Sequence, residues 1–150
     1  MKKILIMTNI LLLAAVTAHA QERFNYAEQW HNIDKLMDGI LPKSALPEIE
    51  KVREAALRDN EYGHLIRSVT TRSTCLQMTE ENPFAAVINS LKNDAETFPF
   101  PIKAVIYSLI GETYLNYYNQ NRWKIYDRTT VAEEVKSDDF ETWDTARLLQ

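Results

Sequence analysis

Along most of this chain, large apolar residues return every three or four positions, and they nowhere alternate with period two over a useful length. That interval puts them on one side of an α-helix. A succession of such stripes can be buried only by packing helix against helix. Tyr26, Trp30, Ile33 and Met37 make the first stripe, with Gly39 as a suitable stop. A second helix, from about 44 to 60, carries Leu46, Ile49, Val52, Ala56 and Leu57. Pro47 is tolerable there if Ser44 is the N-cap, because the first helical N–H groups lack partners anyway. The third, over 62–77, is striped by Leu65, Ile66, Val69 and Leu76. Cys75 falls off that stripe and reads as a flanking, inert thiol that a neighbouring domain could cover.

Asn82-Pro83 opens a fourth helix as N-cap and first-turn proline. Its inner side is Phe84, Val87, Ile88, Leu91 and Ala95. Phe98-Pro99-Phe100-Pro101 then breaks the chain, since each proline disfavours helix in the residue before it. The fifth helix, from 102 to about 121 or slightly beyond, has Val105, Ile106, Leu109, Ile110, Tyr114, Leu115, Tyr117 and Tyr118 nearly all round. Only Ser108, Glu112 and Asn116 leave a polar edge, so this helix is expected in the middle of a bundle. A polar connection around 129–136 precedes a last helix, capped by Asp138 with Glu141 three residues on. Phe140, Trp143, Leu148 and Leu149 supply its contacts, and residues 131–135 are the least poor candidate for a short extended piece. The expected fold is all-α: a bundle of about six helices in antiparallel hairpins, the final helix incomplete. Pro42, Pro83 and Pro101 each start a Pro-x-x-Ala-aliphatic pattern, but the copies lie 41 and 18 residues apart. Stacked hairpins are therefore expected without a regular tetratricopeptide period.

Ahead of the helices, Lys2 and Lys3 precede an apolar run over 4–16, and Ala18-His19-Ala20 has the small-x-small form of a cleavage site. Residues 1–20 thus read as a removed signal peptide, with residues 21–150 as one exported helical domain, periplasmic or beyond. No later segment approaches membrane-spanning length. Such a compartment is oxidising, but with only Cys75 an internal disulfide is impossible. The net charge is −4, or −6 once the two leader lysines are gone. A surface that reads backbone phosphates needs a basic face, which argues against nucleic acid as a partner.

Catalytic constellations are scarce. His31 and Asp34 stand one turn apart, and His64 opens the third helix with no spaced partner. Two histidines do not make a metal site of three or four ligands. Glu133-Glu134 and Asp138-Asp139 read as a solvated loop and a dipole-favoured helix start. No glycine-rich phosphate loop, G-x-S-x-G motif or Cys/His pair occurs, so neither an enzyme nor a cofactor is expected. The unusual feature is an aromatic–basic cluster: Tyr114, Tyr117, Tyr118, Trp123 and Tyr126 beside Arg122, Lys124 and Arg128. Such rings could stack on sugars or bases, but rings packing in core or interdomain contacts, with arginine planes against them, is the favoured reading. Tyr117, Tyr118, Arg122, Trp123, Tyr126, Arg128 and Trp143 are the candidate interaction surface.

The run from Tyr117 to Thr129, YYNQNRWKIYDRT, resembles a segment near the N-terminus of the large exported alpha-2-macroglobulin-like proteins of Bacteroides-type bacteria. Tyr26-Ala27-Glu28-Gln29-Trp30 looks like that region's opening "YAxxW", and Leu41-Pro42-Lys43-Ser44-Ala45-Leu46 is similar to its "LPKTAL". Phe100-Pro101-Ile102-Lys103-Ala104 again precedes a long apolar helix, and residues 138–144 look like "DDIxTWD". The resemblance covers most of the mature chain, and YYNQNRWKIYDRT is its one individually specific motif.

Membership would imply a helical N-terminal region before a string of β-sandwich domains, in a protein that traps proteases when they cleave a bait segment. Neither bait nor sandwich lies in these residues. The thioester of some members needs C-x-E-Q, whereas Cys75 is followed by Leu76, Gln77 and Met78, so that role is not carried over. The resemblance implies, as partners, downstream domains of the same longer chain and, through the whole protein, proteases. A final helix reaching Leu148-Leu149-Gln150 with no glycine stop agrees with a piece of something longer. The rival expectations are a stand-alone exported helical-hairpin adaptor and, after it, an envelope carbohydrate binder using Trp123 and nearby tyrosines.

Overall fold

A computed structural model describes residues 23–126 and 139–148. Among them are six α-helices: α1 (Tyr26–Asp38), α2 (Pro42–Asp59), α3 (Tyr62–Thr79), α4 (Pro83–Thr97), α5 (Ile102–Tyr126) and α6 (Thr145–Leu148). A 3-10 turn, Phe140–Thr142, precedes α6, and the described residues contain no strand. Connections of two to four residues reverse the chain between α1 and α5. Each helix therefore lies beside its neighbours in sequence, as antiparallel hairpins require. The all-α bundle expected from the stripes is the observed architecture. No described helix is long and apolar enough to cross a membrane. The leader, Arg128, the stretch 131–135, Glu133-Glu134, Asp138 and Leu149 lie outside the described residues.

Local chemistry sets most helix ends. Asn25 and Asn82 accept hydrogen bonds from the N–H groups of Glu28 and Ala85, at 3.2 and 3.4 Å. Both are N-caps satisfying otherwise orphaned donors. At the end of α1 the Leu41 N–H reaches the Leu36 carbonyl and the Ile40 N–H reaches that of Met37, a Schellman closure. Gly39 is the cap residue at φ −75°, but the left-handed position falls on Ile40, at φ 56°. The chain then enters α2 directly at Pro42, two residues before the expected cap Ser44. Proline suits that first position because no N–H is needed there. Pro47 consequently stands inside α2, where the Lys43 carbonyl cannot receive an N–H from it.

The core runs along the stack in three clusters. Trp30, Ile33, Ala45, Ile49, Val52 and Cys75 join α1, α2 and α3. Leu65, Val69, Val87, Leu91, Ile102 and Ile106 join α3 to α4 and α5. Ile88, Tyr117, Ile125, Phe140 and Leu148 close the far end.

Three expectations are corrected. Cys75 is no flanking thiol: it is fully buried, its Sγ 3.5 Å from Met37 Sδ. Because α3 is covered on two sides, a residue off its main stripe still meets a partner, in α1 and α2. Conversely, α5 packs on α4 and the C-terminal turn and touches α3 only slightly, so it flanks the row rather than occupying its middle. Its outer apolar residues Tyr107, Leu115, Trp123 and Tyr126 remain exposed. Finally, the last helix is two short pieces. The Asp139 carboxylate accepts the Glu141 N–H at 3.0 Å and Asp144 accepts that of Arg147 at 2.9 Å, with Trp143 extended between them. Two aspartates each start a turn, which prevents one continuous helix.

Candidate functional site

The aromatic–basic segment divides along the two sides of α5. Tyr117 points inward and is buried, its ring edge-on to Phe84 at 5.3 Å and Phe140 at 4.9 Å. Trp143 is half-buried, stacked on Tyr114 at 5.8 Å under the Arg147 guanidinium, 4.3 Å from the ring centroid. These two residues therefore fix the C-terminal turn to α5 rather than form an open surface. Asn82 strengthens the attachment through a 2.8 Å hydrogen bond to the Glu141 carboxylate.

The outer side is different. Leu115, Arg122 and Tyr126, spaced by seven and four, share one stripe, with Trp123 beside it. Trp123 is 73% exposed and Tyr126 58%. The Arg122 guanidinium lies over the Trp123 ring, 5.4 Å from its centroid, a cation–π arrangement on a ring that is otherwise in solvent. The hydroxyls of Tyr118 and Tyr126 share a hydrogen bond at 2.7 Å. That bond raises the pKa of the Tyr118 hydroxyl above its ordinary value. Of the seven expected surface residues, Arg122, Trp123 and Tyr126 thus come together on the last turns of α5, joined by the hydroxyl of Tyr118, whose half-buried ring packs against the far-end core. Tyr117 and Trp143 do not join them.

Two further clusters had no local sequence signal. The first is a ladder between α1 and α3. Arg67 bonds both Asp34 oxygens, at 2.8 and 3.0 Å, and lies 4.0 Å from the Trp30 centroid. The Trp30 Nε1–H donates to His64 Nδ1 at 3.0 Å, and the His64 ring stacks on Tyr26 at 4.2 Å, nearly parallel. Tyr26 in turn donates its hydroxyl to Asp59 Oδ2 at 2.7 Å. Burial, then the bond to Asp59, push the Tyr26 pKa up to about 12, and the same bond holds the Asp59 carboxyl below its usual range. His64 therefore does have a partner. It lies 34 residues earlier, on another helix, beyond the reach of any spacing rule.

The second cluster joins three helices. Asp94 of α4, 1% exposed, accepts from Arg53 of α2 at 2.7 Å, and Arg72 of α3 lies 3.6 Å away. Arg53 also pairs with Glu50 at 2.5 Å and covers the Phe98 ring at 4.7 Å. Burial raises the Asp94 pKa, with the two arginines opposing it. Among the described residues, no three metal-ligating side chains converge. The charged groups of both clusters are matched to one another across helix boundaries, which is the chemistry of holding a stack in register. An open depression between α1 and α2, lined by Asn32, Lys35, Leu36, Ser44 and Glu48, is too shallow to enclose a ligand.

Comparison with known proteins finds no matching family model, no matching curated protein and no matching solved structure.

Proposed function

We propose that this chain is the helical N-terminal scaffold of an exported, protease-trapping protein of the alpha-2-macroglobulin type. In this reading the outer face of α5 docks against a further domain of the same longer chain. The observation that carries it is the position of Trp123 and Tyr126: two large rings held out from the end of a 25-residue helix whose other side is anchored in the core. Rings kept at a fixed helical register lose little freedom on being covered, so they suit a permanent contact. The resemblance of YYNQNRWKIYDRT to the family's N-terminal region supports the same assignment, because Arg122, Trp123 and Tyr126 belong to that motif. The paired charges of Asp34, Arg67, Arg53, Arg72 and Asp94 support a scaffold role, each being used between helices.

The module would position its neighbours, and the bait and the trapping rearrangement would belong to other parts of the protein. Sequencing the gene beyond codon 150 tests this reading. Continuation into a series of β-sandwich domains is the expected result, and a stop codon at that point contradicts it.

A further inference from the structure

We propose that the Trp30–His64 hydrogen bond is a proton-operated latch between α1 and α3. An indole Nε1–H can only donate, so His64 Nδ1, 3.0 Å away, must be the unprotonated acceptor. The imidazole is then neutral, with its proton on Nε2. An imidazolium carries protons on both nitrogens and cannot accept, so protonation turns the bond into a clash of two donors. Trp30 is only 3% exposed, which leaves its orphaned N–H little access to water. Histidine is the side chain suited to exchanging a proton at such a bond, so a proton delivered to Nδ1 is what opens this junction.

Several charged and titratable groups surround this junction. From α1, Tyr26 stacks on it and stays neutral through its bond to Asp59 of α2. Asp59 and Glu61 place negative charge near the Tyr26 hydroxyl, with Arg58 opposing, and Arg23 faces Asp59. On α3 itself, Arg67 adds a cation over Trp30, held by Asp34 of α1. That pair is exposed and weakened by salt, so it does not substitute for the part-buried Trp30–His64 bond. Since α1 ends the row, its loosening from α3 leaves the α3–α4–α5 core in place.

The latch is tested on the 15N-labelled protein by following exchange of the Trp30 indole N–H between pH 8 and pH 5, normalised to the exposed Trp123 indole. The His64 ring resonances are followed in the same samples. Relative protection of Trp30 should fall about tenfold as His64 takes up its proton, the scale of one lost hydrogen bond. In His64→Gln the amide oxygen accepts without titrating, so protection should stay flat, whereas His31→Gln should behave as the wild type. Trp30 protection that persists while His64 becomes an imidazolium overturns the latch. So does an equal loss at the same midpoint in His64→Gln.

Discussion

At the scale of single residues, strain is concentrated at Ile40; Asn60, the other non-glycine at positive φ among the described residues, is a type that tolerates it. Ile40 is β-branched, sits at φ 56° and is 73% exposed, in the Schellman position that glycine normally fills. The side chain gains little burial in return, so Ile40→Gly should stabilise the protein by about 1 kcal/mol, the ordinary cost of a left-handed non-glycine residue. Urea unfolding of the two proteins measures this. A lower midpoint for the variant would mean that Ile40 makes contacts outweighing its strain. Residue-scale chemistry was also the most legible in advance. Asn82-Pro83 opens its helix and the Phe98–Pro101 run breaks the chain as expected, because capping and proline geometry act over a few bonds. Ser44 has the favoured cap chemistry, but the helix starts at Leu41-Pro42, where the first-turn proline and the closure of α1 decide the position and no side chain caps it.

At the scale of elements, five helices were legible as stripes, but which faces meet was not. Burial of Cys75 depends on α3 being covered by α1 and α2 on one side and α4 on the other. Exposure of Trp123 depends on α5 having a partner, among the described residues, on one side only. A stripe reports that a face is apolar and not which neighbour covers it. The buried ion cluster shows the same limit, since Arg53, Arg72 and Asp94 lie on three helices and no spacing in the sequence links them. Their coupling has a measurable consequence. Asp94→Ala leaves Arg53 largely buried with only Glu50, and should cost about 3 kcal/mol in denaturant unfolding. Because the folded-state pKa of Asp94 is raised, the folded protein holds its proton more tightly than the unfolded chain. The Asp94 contribution to stability is therefore fullest below the ordinary carboxylate pKa and declines as pH rises through the folded value. Wild type compared with Asp94→Asn across that range should show this decline only in the wild type. Parallel pH profiles would count against it.

At the scale of the whole molecule, the helices form a row closed differently at its two ends. One end, α1, is held to α3 by the Trp30–His64 and Asp34–Arg67 bridges. The other, α5, anchors the C-terminal turn through Tyr114, Tyr117 and Phe140 and presents Leu115, Trp123 and Tyr126 outward. The sequence marks one segment, and of its expected surface residues Tyr118, Arg122, Trp123 and Tyr126 lie on the last turns of α5. It could not separate those four from Tyr117 and Trp143, because inward and outward rings alternate around one helix and share a composition.

Coverage of the α5 face by another domain is the central claim, and Trp123 reports on it directly. With Trp30 and Trp143 replaced by phenylalanine, acrylamide quenching of Trp123 should be strong in residues 21–150 alone and several-fold weaker in the full-length gene product. Equally strong quenching in both would show that the face stays open and would contradict the docking account.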